Sequence, residues 1–332
     1  MRFSTFALSA LCSLAAGAME PSEYIPEIHG TFRGRYEYAV DNSEGRFQVR
    51  DFRATLSGRI AKPIGYFAQV NVCDRGSFKV LDAYGWIKPS AQTQITVGQT
   101  RMPFSVDASR APHLLYFANR SFIGRDIGNY RGVGAKACWS PESYPLEIEA
   151  GAFNTAAKEN HNVWEHSMTF SATAKYRLKN VTAEIGFESL SPDSVRFNSV
   201  DCSVTWICGN WFVEGEYLRK QYTNNAFSTT HAFNIMANYS MPVNAGIFNR
   251  MSFQGRFDGA TANSNGKRDE NGLLTETDPS RRRATVGATV SYVEKKVRAD
   301  VRINYEKYFY RHGISAPSRD CDRITAELVI RF

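Results

Sequence analysis

Six histidines, at positions 29, 113, 161, 166, 231 and 312, are the first residues to test for catalytic or metal chemistry, and their spacing supports neither. None forms an H-x-x-x-H pair, and the nearest two, His161 and His166, flank Trp164 and Glu165 in a loop-like stretch. No G-x-S-x-G elbow and no phosphate-cradling P-loop is present. Cys73, Cys138, Cys202, Cys208 and Cys321 contain no C-x-x-C and have no histidine beside them at zinc-ligand spacing. No nucleophile or carboxylate can be paired with a base. The chain reads as a non-enzyme without a cofactor or metal.

What remains is arginine. The stretch 101–130, RMPFSVDASRAPHLLYFANRSFIGRDIGNY, carries Arg101, Arg110, Arg120 and Arg125, with Arg131 directly after it, against only Asp107 and Asp126. A guanidinium stays charged at any relevant pH and offers a planar fork of donors suited to carboxylate or phosphate oxygens. Rings of such cations are how pores select anions. A structureless interval of this length is uncommon in a compact domain and is usually functional.

The totals narrow the setting. The chain has 332 residues and a formal net charge of +7, with sixteen Tyr and twenty-two Phe. Its basic residues are dispersed and interleaved with acids rather than gathered on one face, which argues against nucleic acid as a partner. Arg2, the apolar run Phe3–Ala16 and the Ala16-Gly17-Ala18 site read as a signal peptide over 1–18, leaving 19–332 as one exported domain. Past residue 20 no apolar run approaches the ~18 residues of a spanning helix. A strand-built membrane protein escapes that test, because its alternating faces average to a polar composition.

Alternation is what the elements show. Sixteen strands are predicted, near 27–38, 46–59, 65–73, 78–88, 93–100, 131–139, 145–154, 166–177, 181–190, 195–207, 210–222, 227–240, 247–259, 281–293, 297–310 and 319–332. Arg298, Asp300, Arg302, Asn304 and Glu306 oppose Ala299, Val301, Ile303 and Tyr305, the period-2 pattern of a strand with two unlike faces. Most segments reach the ~9–11 residues a tilted membrane strand needs. Even-numbered connections are short and several odd-numbered ones are long, notably 101–130, 155–165 and 260–280, which predicts short turns on one rim and outer loops on the other. The polar segment 260–280 reads as a mobile outer loop. The last strand, RITAELVIRF, ends in Phe332.

With the apolar parity facing lipid, His29, Thr31, Arg33, Arg35 and Glu37 of the first strand point inward, as do Asp51, Arg53, Thr55, Ser57 and Arg59 of the second. Phe47 and Val49 carry the opposite parity, which predicts a bulge near Arg50. Barrel closure sets strands sixteen, one and two side by side, so an arginine-rich stripe is expected down one wall, with Arg33, Arg35 and Arg53 facing the loop's Arg101, Arg110, Arg120 and Arg125. Lumenal acids, Asp51 and Glu327 among them, are available to neutralise part of it.

Three motifs add a family resemblance. Phe47-Gln48-Val49-Arg50-Asp51-Phe52-Arg53-Ala54-Thr55-Leu56-Ser57-Gly58 resembles the F-x-V-R-R-x-R-x-x-L-x-G strand of the phosphate-selective porin O/P family. Leu81-Asp82-Ala83-Tyr84 is similar to its L-x-D-A-Y segment, and Val97-Gly98-Gln99-Thr100-Arg101-Met102-Pro103-Phe104 to its V-G-Q-x-K/R-x-P-F motif, which opens an inward-folding third loop. The chain departs from the pattern at Asp51, where the family usually has Arg, and has no lysine between Arg101 and Arg131. The resemblance implies an all-β fold, a 16-stranded antiparallel transmembrane β-barrel in the Gram-negative outer membrane, assembled as a homotrimer. It also implies passage of phosphate-like small anions through a basic constriction. The alternative is a non-conducting outer-membrane barrel acting as anchor, adhesin or secretion-apparatus component.

Overall fold

A computed structural model describes residues 25–332 apart from 156–160, 192–194, 275–276, 296, 313–316 and 318. The expected signal peptide, 1–18, lies outside the described residues. The first half of the chain forms β1 (Glu27–Ala39), β2 (Glu44–Ala61), β3 (Ile64–Asp74), β4 (Ser77–Ser90), β5 (Thr93–Arg101), β6 (Arg131–Trp139) and β7 (Leu146–Asn154). It continues with β8 (Met168–Leu178), β9 (Val181–Leu190), β10 (Phe197–Cys208), β11 (Trp211–Tyr222), β12 (Thr230–Ala245) and β13 (Phe248–Ala260). Two-residue β14 (Asn263–Ser264) and β15 (Thr277–Asp278) precede β16 (Arg281–Glu294), β17 (Val297–Tyr310) and β18 (Arg323–Arg331). All but β14 and β15 close one antiparallel barrel of sixteen strands.

Each barrel strand lies within a few residues of its sequence-predicted span. Closure is made by β1 on β18, from Thr31↔Arg331 to Ala39↔Arg323, and Gly30 and Phe332 exchange backbone bonds of 2.8 and 3.2 Å at the seam's end. The predicted bulge is present. Arg33 pairs with Asp51 and Gly34 with Val49, leaving Arg50 as the extra residue of β2.

Burial is inverted relative to a water-soluble protein. Thr31, Arg33, Arg35 and Glu37 are buried, whereas Ile235, Phe253, Val286 and Ile303 are between 47% and 59% exposed on the outer face. Apolar outside and polar inside is the order that hydrocarbon imposes, and closure leaves no strand edge with unpaired backbone groups.

The loop 261–280 is not free over its described length. β14 pairs with β15, and Lys220 Nζ, fully buried on β11, donates to Ser264 O at 2.6 Å and Asn263 Oδ1 at 3.2 Å. Tyr222 OH also donates to Ser264 O, at 2.6 Å. The polar composition that suggests an outer loop serves here to satisfy a buried lysine.

Candidate functional site: an arginine constriction

The site begins where β5 ends. Gly98 has φ +134°, and a Cβ there would stand 2.4 Å from Ala83 O and 2.7 Å from Tyr84 Cα, so the close approach of β4 admits only glycine. Beside it, Gln99 Nε2 donates to Val80 O and Leu81 O at 3.1 and 2.9 Å, holding the bulge that falls at Leu81. This junction fixes the direction in which residues 102–130 leave the wall. Met102 N donates to Tyr130 O at 3.2 Å and closes the loop's base.

The loop then crosses the lumen and packs on the far wall. Phe104, Phe122, Ile123 and Ile127 bury themselves against Leu218, Ala232, Ala260 and Tyr308, an apolar cluster inside the barrel, where Met102, Phe153 and Phe197 belong to another. Ser105 Oγ and Val106 N donate to Glu216 Oε1 at 2.6 and 3.0 Å, and Phe122 N to Asp258 Oδ2 at 3.0 Å. Gly124 lies against Asp107, whose Oδ2 would be 2.2 Å from an added Cβ and accepts from Ser121 N and Oγ instead. Some of the loop's backbone donors are thereby satisfied from the wall and others, such as Ser121 N, from within the loop, as burial requires.

Its carbonyls are held by wall arginines. Arg33 donates to Ala118 O at 2.6 Å, Arg256 to Asn119 O at 2.8 Å, Arg283 to Arg120 O at 2.6 Å, and Arg302 to Leu115 O and Phe117 O at 2.8 and 3.0 Å. This corrects the expected open stripe. Arg33 is buried between Asp51 and Glu327, at 3.1 and 2.7 Å, and Arg35 is buried against Glu37 at 3.0 Å and Asn119 Oδ1 at 3.0 Å. Both hold the loop, and Arg33 also borders a narrow space beneath it.

The loop's own arginines separate into two groups. Arg110 turns to the far wall, where it pairs with Glu214 and with Asp107 and lies over the rings of Tyr116 and Phe212. Arg125 pairs with Asp126 at 2.9 Å and Asp320 at 2.7 Å. Arg101 donates to Ala108 O, and Arg120 to Asp107 O and Arg110 O. Among the described residues no ion pair to a carboxylate is found for Arg101 or Arg120. Burial lowers Arg120 to about 10, with Asp107 opposing and Arg53 and Arg33 adding to the shift, so it remains a cation at neutral pH.

These two cations meet Arg53 and Arg131 around a narrow space of about 130 Å³ between the loop and the β2–β6 wall, which Arg33, Arg50, Arg125 and the acid Asp51 also border. Arg53 is paired with Asp51 at 3.2 Å, and Arg131 grips both oxygens of Asp82 at 3.0 and 3.3 Å. Below it, Arg53, Arg101, Pro112 and Arg131 also border a chamber of about 410 Å³. That chamber meets, at His113, a vestibule of about 730 Å³ reaching the short-turn residues Gly209 and Asn210. Burial pushes His113 down to about 4, with Arg331, Arg298 and Arg53 adding and Asp300 opposing, so the ring is neutral at pH 7.

The acids of β9–β11 are segregated. Glu184, Glu188, Asp201, Glu214 and Glu216 are buried, and none of them borders the narrow space or the chamber. Arg131 is visible in the sequence as a flank of the loop and Asp82 as one of the lumenal acids, but their pairing is not, because the β4–β6 contact that joins them is not encoded in local pattern.

No family model matches the chain, and no curated protein matches it by sequence. Solved structures do match. An anion-selective porin from Comamonas acidovorans superposes with TM-score 0.63 at 10% identity, covering 92% of this chain and 98% of that one. OmpF of Salmonella typhi gives 0.64 at 13%, covering 95% and 99%, and the outer membrane channel DcaP of Acinetobacter baumannii gives 0.62 at 12%, covering 96% and 100%. Identities this low carry the architecture and nothing finer: the chain has the sixteen-stranded barrel fold of outer-membrane porins and channels.

Proposed function

We propose that the chain is an outer-membrane pore for passive diffusion of small anions, with Arg53, Arg101, Arg120 and Arg131 as its selecting constriction. The observation that carries the reading is the unequal pairing of charge. Asp51 and Asp82 offset Arg53 and Arg131, while Arg101 and Arg120 are held by carbonyl dipoles alone. A narrow, weakly hydrated passage with two unmatched cations concentrates anions and repels cations.

Of the other arginines proposed from sequence, Arg33 and Arg35 set the loop's position, and Arg110 and Arg125 serve mainly as its anchors. A preference for phosphate rests on the motif resemblance, and it is weakened by Asp51, which accepts from both Arg33 and Arg53. Export through the 1–18 signal peptide and assembly as a homotrimer belong to the same proposal.

The test is a reversal-potential measurement on purified protein in a planar bilayer under a potassium chloride gradient, followed by addition of phosphate. A chloride-selective potential supports the reading, and block by dilute phosphate adds phosphate preference. Absence of current from folded protein supports the anchor instead.

A further inference from the structure

The wall below the constriction breaks the lumenal rule. On β3 and β4 the inward parity carries Phe67 opposite Tyr84, and their rings stack with centroids 5.0 Å apart and planes 14° from parallel. Elsewhere that parity is mostly polar. Both rings border the 410 Å³ chamber, with Ala111 and Pro112 of the loop among its other lining residues and Arg53, Arg101 and Arg131 bordering the same space. The volume lies within the ~300–1,000 Å³ range of small-molecule sites. The Tyr84 backbone and Cβ close on Gly98, leaving the adjacent wall without a side chain at that level.

Hydration alone does not call for this arrangement. A pore for inorganic anions gains nothing from an apolar shelf, since chloride and phosphate have no apolar surface to cover. An anion with a flat apolar body does gain: its charge meets a guanidinium fork while its body displaces water from the rings and the proline. We infer that the chamber is a subsite for small aromatic carboxylates, the carboxylate on the Arg53–Arg101–Arg131 group and the ring on the Phe67–Tyr84 shelf. The inference rests on the proposed anion pore and names its substrate class.

Benzoate, acetate and inorganic phosphate, each added to a chloride-conducting bilayer, provide the test. Benzoate is expected to reduce single-channel chloride current at a concentration at least tenfold below that of acetate or phosphate. Phe67→Thr and Tyr84→Thr keep β-forming residues in place and are expected to bring benzoate to the level of acetate, with the chloride reversal potential unchanged. Equal block by the three anions in the wild-type pore overturns the aromatic subsite while leaving the anion pore standing, whether or not either variant folds. Retention of the benzoate preference in both variants also overturns it. A wild-type pore without chloride selectivity removes the anion pore, and the inference with it.

Discussion

Arg33 and Glu327 join the first and last strands of the barrel through two N–H groups, Nε and Nη2, that converge on Oε1 at 3.1 and 2.7 Å. The same guanidinium reaches Asp51 on β2 and the Ala118 carbonyl of the crossing loop. One side chain therefore ties together the barrel seam, its neighbouring strand and the constriction. Both partners are buried, so the pair gains little net energy while it is intact and loses much when half of it is removed.

Arg33→Ala is accordingly expected to destabilise the barrel by ~1.5–3 kcal/mol, because buried Asp51 and Glu327 each lose a charged hydrogen-bond partner while keeping Arg53 and Arg302 beside them. Urea unfolding in lipid vesicles measures this. The released Ala118 carbonyl should also widen the passage and raise single-channel conductance. Unchanged stability with a loss of anion selectivity would instead assign Arg33 to the pore.

Gly98→Ala places a Cβ against Ala83 O at a φ of +134°. Backbone strain of this kind costs ~1–3 kcal/mol, and the contact adds to it. Lower yield of folded barrel in heat-shift electrophoresis is the expected result, whereas Gly215→Ala, where an added Cβ meets nothing within 4 Å, should fold as wild type.

Lys220→Met removes the donor that Ser264 O and Asn263 Oδ1 accept from, together with a cation 3.8 Å from the Phe197 ring centre. Loss of a hydrogen bond costs ~0.5–1.5 kcal/mol, with Tyr222 OH still donating to both acceptors. Faster proteolysis within 261–280 than in wild type, at equal barrel content, is the expected readout. Equal rates would mean that Lys220 does not anchor this loop.

The low pKa of His113, about 4, fixes the direction of its pH effect. A base whose pKa is lowered gains its proton only at low pH, so the ring adds no charge between pH 8 and 5 and contributes no change in selectivity there. Towards pH 4 it becomes positive beside Arg331, Arg298 and Arg53, and anion preference should rise. The informative comparison is His113→Gln, in which that part of the rise should vanish. A step near pH 6.5 that is present in the wild-type protein and absent from His113→Gln would contradict the assignment.

Most of the fold was legible because strand period, strand length and the alternation of short and long connections are local properties. So was the Arg50 bulge, through the parity change between Val49 and Asp51. The charge state of the pore was not. Whether Arg33 is a free cation depends on Glu327, 294 residues away, and whether Arg110 faces the passage depends on Glu214. The first pairing follows from closure of β1 on β18, and the second from where the loop lands, which is set by the apolar contacts of Phe104, Phe122 and Ile123 with the far wall. The loop's sequence shows the arginines and the apolar residues but not which wall receives which.

The central claim is that Arg101 and Arg120, held by carbonyls alone, make the passage anion-selective. The most direct measurement is the reversal potential under a potassium chloride gradient for the wild-type protein and for the Arg101→Gln/Arg120→Gln double variant. Glutamine keeps an N–H donor for the loop carbonyls while removing the charge. The account predicts a chloride-selective wild type, a several-fold loss of the chloride-to-potassium permeability ratio in the double variant, and little change for Arg110→Gln, whose charge is matched by Glu214 and Asp107. A double variant as chloride-selective as the wild type, with Arg110→Gln showing the loss, would contradict it.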